Sequence, residues 1–113
     1  MRKNCGSADF RAAVNKAVNA LKIRDYTVSR SVIASCMAMN MDAPEPHNLL
    51  GIWYELMGDD VSARQHYRAA YALDPTYKPS CRNLERLTLY GWSSSAAPAD
   101  FGMIEDAKGQ EER

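Results

Sequence analysis

The sequence has no excess of charge: 14 basic and 14 acidic residues give a formal net charge of zero. A general nucleic-acid binder needs surplus cations to displace phosphate counterions, so no nucleic-acid partner is expected. Long hydrophobic runs are missing too. No apolar stretch approaches the roughly 20 residues that cross a bilayer, so no membrane contact is expected. The basic start Met1-Arg2-Lys3-Asn4-Cys5-Gly6 leads into no apolar h-region, so no signal peptide is expected. Cysteine is scarce. Cys5, Cys36 and Cys81 are odd in number and far apart, which argues for reduced thiols in a cytoplasmic protein and against a disulfide framework. No segment alternates as a strand would. A phosphate loop, a nucleophile elbow and an HExxH motif are all absent, so no enzymatic activity and no cofactor are expected.

What remains is an ordinary helical composition. The 113 residues suit one domain, with 46% apolar and 25% charged side chains. Zero net charge hides blocks: residues 1–43 carry +4, 44–77 carry −3, 78–92 carry +2 and 93–113 carry −3. Turn signals at Arg24-Asp25, Ala43-Pro44, Gly58-Asp59 and Asp74-Pro75 separate stretches with apolar residues at helical spacing. Five helices are predicted, over about 8–23, 26–39, 44–57, 60–73 and 78–91. Pro44 suits a first helical turn, Gly58 the left-handed residue that ends a helix, and Asp59 the cap of the next. Residues 1–7 read as a lead-in. Residues 92–113 read as a flexible tail, opened by Ser93-Ser94-Ser95-Ala96-Ala97-Pro98. Phe101, Met103 and Ile104 form a small apolar cluster in that tail, able to dock back on the domain or to act as a short linear motif.

The third and fourth helices carry a pattern. From His47 the chain reads His47-x-x-Leu50-Gly51-x-x-Tyr54, then Ala63-x-x-x-Tyr67, Ala70 and Pro75. Small Gly51 and Ala63 let two antiparallel helices approach, Tyr54 and Tyr67 fill the space on either side, Ala70 admits the next helix, and Pro75 turns the chain. The pattern resembles the tetratricopeptide (TPR) repeat, with His47 where that family usually has Trp. A step backwards by that family's repeat length places Ala17 under Gly51, Ala20 under Tyr54, Ser29 under Ala63, Ile33 under Tyr67 and Cys36 under Ala70. Small residues recur where small ones are needed, although Met41 stands under Pro75. The resemblance implies an all-α fold of antiparallel helix-hairpin repeats in a TPR-like right-handed superhelix. Repeat one would cover about 10–43, repeat two about 44–77 and a capping helix about 78–91. Arg82, Glu85 and Arg86 on the cap are expected to face water, and Trp53 to fill a gap beside Ala13 and Ala17.

The resemblance also implies a function. In this family the first helix of each repeat lines a concave groove that takes peptides or protein segments. The matching face here holds Arg11, Val14, Val18 and Leu21, then Glu45, Asn48, Ile52 and Glu55, then Arg82, Arg86 and Leu89. Asn48 both donates and accepts, so it suits the backbone of an extended peptide. The clamp by which one subfamily grips C-terminal carboxylates is not expected, because Val14 and Val18 occupy two of its slots. The expected function is therefore a protein-binding adaptor or scaffold. Its alternatives are a structural subunit acting through homodimerisation or docking, and a chaperone-like holder of a secreted subunit. No metal site is expected. Cys36-Met37-x-Met39-x-Met41 hints at a soft metal, but Cys36 falls in a small core slot. His47 and His66 stand far apart in the sequence without a partner at ligand spacing, and His66 is expected at the surface or the groove edge. Asp59, Asp60 and Asp74 read as cap and turn residues.

Overall fold

Two of the helices begin on side-chain caps that their own sequence supplies. In the computed structural model, which describes residues 8–90 and 99–102, α1 covers Ala8–Lys22, α2 Tyr26–Met39, α3 Glu45–Leu56, α4 Asp60–Leu73 and α5 Lys78–Tyr90. No strand occurs among the described residues. The lead-in 1–7 and most of the tail, including Met103 and Ile104, lie outside them. Asp25 caps α2 by accepting the Val28 N–H at 3.1 Å, and Asp59 caps α4 by accepting that of Ser62 at 3.0 Å. Each satisfies one of the orphan donors at a helix start.

The two hairpins repeat one another at the level of single bonds, one repeat length apart. Arg24 (φ 63°) and Gly58 (φ 85°) make the same left-handed turn. Asp25 N–H reaches Ala20 O and Asp59 N–H reaches Tyr54 O. The second helices end alike, with Asn40 at φ −151° and Asp74 at φ −153°, each N–H bonded to a carbonyl of the preceding turn, Cys36 O and Ala70 O. The side chains of both residues then catch a nearby N–H, Asn40 that of Asp42 and Asp74 that of Thr76. Arg24 holds a conformation that costs a residue with a Cβ about 1–2 kcal/mol, so the first hairpin repeats the second's turn without its glycine.

Consecutive helices pack in order, and α1 also meets α3. The core lies between the hairpins: Phe10, Val14, Ala17, Val18 and Leu21 from α1, Ile33 and Cys36 from α2, Leu49, Leu50 and Ile52 from α3, Ala63 and Tyr67 from α4, and Leu87 from α5. Cys36 is wholly buried, and burial pushes its thiol up to about 11, which leaves it an inert packing group. Met39 and Met41 are exposed, so the Cys-Met run does not converge on a site. Among the described residues no helix is long and apolar enough to cross a membrane.

Helix α5 departs from expectation. Arg82 and Glu85 face water, but Arg86 is buried along with Ser80, Asn83 and Leu87. The buried stripe of this helix is therefore mostly polar, and every group in it needs a partner. Trp53 packs on the same core cluster as Ala13 and Ala17 and has polar contacts besides. Its indole N–H donates to Tyr26 O at 3.0 Å and Arg30 lies 4.6 Å from its ring centroid, so it is anchored on α2.

Candidate functional site

The polar stripe of α5 faces α3 and supplies the site. Asn48 lies two turns before Glu55 on α3, on one face of the helix. Asn83 and Arg86 sit one turn apart on α5. The helices bring them together in two layers. In the first, Arg86 grips Glu55 with both terminal nitrogens, Nη1 to Oε2 at 2.8 Å and Nη2 to Oε1 at 2.5 Å, with side chains only 7% and 10% exposed. The Tyr67 hydroxyl donates to the same carboxylate from α4. Burial, followed by the Glu55 charge, drives the Tyr67 hydroxyl well above its ordinary value. Burial opposes the Arg86 charge, but Glu55 and Tyr67 outweigh it and hold the guanidinium above its usual range.

The second layer is a pair of carboxamides with a segment of the chain's own tail across them. Asn83 Nδ2 donates to Asn48 Oδ1 at 2.8 Å, and the Arg86 Nη2 donates to Asn83 Oδ1 at 3.3 Å. Asn83 then holds Asp100 at both backbone groups: its Nδ2 donates to Asp100 O at 2.8 Å and its Oδ1 accepts Asp100 N–H at 2.7 Å. Asn48 Nδ2 gives that carbonyl a second donor at 3.1 Å. With the segment seated, both carboxamides are buried. The Asp100 carboxylate pairs with Arg82 at 2.8 Å and its other oxygen accepts Gly102 N–H at 2.9 Å. Phe101 and Ala99 pack on the core cluster, and Lys22 Nζ stands 5.4 Å from the Phe101 centroid. Gly102 has φ 62°; a Cβ there would overlap the Tyr77 hydroxyl and meet Pro79 Cγ at 3.0 Å. The face thus reads a backbone with neutral amides, a carboxylate with Arg82 and an aromatic ring with Lys22.

The other expected groove residues divide. Val14, Val18, Leu21 and Ile52 are core residues beneath this surface, and Arg11 and Leu89 are exposed away from these bonds. Glu45 is half-buried at the start of α3; burial, then the Asp74 charge, raises its carboxyl. The signature residues Leu50, Gly51, Ala63, Tyr67 and Ala70 are buried, with Gly51 against the Tyr67 ring where α3 meets α4, Tyr54 half-buried and Pro75 exposed.

A second cluster was invisible from sequence spacing. His47 and Tyr54 lie two turns apart on α3, a rise of about 10.5 Å, which leaves room for one ring. His66 of α4 fills it, 5.6 Å from the His47 centroid and 5.3 Å from that of Tyr54, nearly parallel to both. The two Nδ1 atoms stand 3.4 Å apart. His66 is therefore half-buried between two rings. Burial lowers the pKa of His47; burial, then His47 and Arg30, lowers that of His66. Both folded values lie below the ordinary 6.5, so the unfolded chain binds protons first as pH falls. The pair's contribution to stability is complete above about 6.5 and is lost as pH drops through the folded values. The melting temperature is expected to fall more steeply between about pH 7.5 and 5.5 in the wild type than in His47→Gln/His66→Gln, measured by circular dichroism. Parallel curves would remove the pair as the cause. Glu45, with its raised pKa, acts with opposite sign at lower pH and cancels in the comparison.

Among the described residues no three or more His, Cys, Asp and Glu side chains gather as a metal site would require. In comparisons with known proteins, the chain matches no family model, no curated protein and no solved structure.

Proposed function

We propose that this chain is a TPR-like protein-interaction module whose α1–α3–α5 face captures an extended peptide segment of another protein, without catalysis and in a reducing, cytoplasmic setting. The observation that carries the reading is the hold of Asn48 and Asn83 on the Asp100 backbone. Backbone recognition by fixed carboxamides suits a peptide ligand, since every peptide offers the same N–H and C=O. The recurrence of turns and caps from one hairpin to the next supports the family reading.

A photo-crosslinking amino acid placed at Lys22 or Arg82 in the native host tests this. Crosslinks to a discrete partner are expected from those positions and not from Val61 on α4. Crosslinks confined to Leu89 would support a second reading, in which the exposed end of the array docks. An open apolar cleft of about 390 Å³ between α4 and α5, lined by Tyr67, Tyr71, Cys81, Leu84 and Leu89, favours that reading. Crosslinks between identical chains at Leu89 would make it a homodimer.

A further inference from the structure

We infer that Ala99–Gly102 is a tethered copy of the ligand: the groove selects an extended peptide with an acidic residue, then an aromatic one, then glycine, and the chain's own segment competes for the same place. This rests on the peptide-binding reading and names the ligand it takes.

Every element of the segment meets a group suited to it. The Asp100 backbone is doubly held by Asn83 and again by Asn48, its carboxylate meets Arg82, and its side chain folds the Gly102 N–H back. Phe101 sits on the apolar cluster under the Lys22 ammonium. Gly102 turns with a positive φ in a space that Tyr77 and Pro79 close to any Cβ. Charge complements the arrangement, since residues 93–113 carry −3 whereas 1–43 and 78–92 carry +4 and +2. A segment this short buries little area and makes one exposed ion pair, with Arg82 at 63% exposure. Such an ion pair is weakened by water and salt, so the dependence on the Asp100 charge is read at low ionic strength. The segment stays bound chiefly because residues 91–98 join it to α5. A short tether gives an effective concentration in roughly the millimolar range. A partner carrying the same pattern with further contacts on either side displaces it, so the tail sets the threshold for capture.

The test uses the full chain and a fluorescent synthetic peptide of residues 97–104. Two tail variants, Asp100→Lys and Gly102→Val, each unseat the chain's own segment by a different route while leaving the helices untouched. Both are expected to bind the peptide roughly ten-fold or more tightly than the wild type does, because the tethered competitor is gone. The Gly102→Val chain is expected to reject a peptide carrying Asp100→Lys, and adding Arg82→Glu to that chain is expected to restore binding of the substituted peptide. Circular dichroism confirms that the helices remain. If neither variant binds the peptide, or if both bind it no better than the wild type, the segment is a structural strap and the inference falls. Partner crosslinks at Lys22 and Arg82 in that case leave the groove reading standing. Their absence as well brings both down.

Discussion

Arg86→Met is expected to destabilise the fold by about 3–5 kcal/mol, the range for removing one partner of a buried ion pair. The loss has a specific origin. Glu55 is left with a carboxylate that is 10% exposed, facing the Tyr67 hydroxyl and no cation. Asn83 also loses the guanidinium that donates to its Oδ1. Methionine has nearly the length of the arginine stem, so the apolar packing of that stem is mostly kept and the effect reports the charge. The double variant Glu55→Leu/Arg86→Met is expected to recover most of the loss, because two apolar residues in place of a buried pair are often neutral or stabilising. Tyr67 then keeps an orphaned hydroxyl, and Tyr67→Phe added to the double variant should cost little further. Urea unfolding of the single, double and triple variants checks the series. A single-variant change below about 1 kcal/mol would place the pair effectively in water.

The network also explains which parts of the molecule were legible in the sequence. Helix limits were close to their expected places because caps and turns are local: Asp25, Gly58, Asp59 and Asp74 act within a few residues of themselves. The packing slots were legible because Gly51, Ala63 and Tyr67 occur at fixed offsets in one hairpin. Arg86 was misplaced because its partner Glu55 lies two helices back along the chain, and a helical stripe of Ser80, Asn83 and Arg86 looks solvated until the matching carboxylate is known. The stacking of His66 was hidden for the same reason, since its slot is made by two residues of another helix. Asn48 could be picked out as a backbone-binding residue because amides are suited to that task. Asn83 could not, because it lies beside the Arg82, Arg86 and Leu89 positions expected to face the groove and not among them. Phe101 was marked by its hydrophobicity, but the Asp100 backbone carries no sequence signal at all.

Gly51 is expected not to tolerate even a methyl group. Gly51→Ala should cost on the order of 1–3 kcal/mol, as overpacking does, even though alanine is the better helix former by about 1 kcal/mol. A Cβ on Gly51 would stand 2.5 Å from Tyr67 Cε1 and 2.7 Å from Cδ1. The ring is wholly buried, and its hydroxyl is held by Glu55 one turn along α3, so it has little freedom to withdraw. The first hairpin supplies an internal control. At the three equivalent positions of that hairpin, Gly51, Tyr67 and Glu55 become Ala17, Ile33 and Leu21. There a Cβ is accommodated, the ring is gone, and an aliphatic side chain replaces the carboxylate; all three are fully buried. Glycine is thus required by the tyrosine that crosses it, and the tyrosine by the carboxylate it reaches. Ala17→Gly should instead destabilise by roughly the helix-propensity difference and a small cavity, about 1 kcal/mol. In a Tyr67→Leu background the cost of Gly51→Ala should shrink or reverse, giving a coupling that a double-mutant cycle reads directly. Equal costs of Gly51→Ala with and without the Tyr67 ring would show that the close approach of α3 and α4, and not the ring, is what excludes a side chain there.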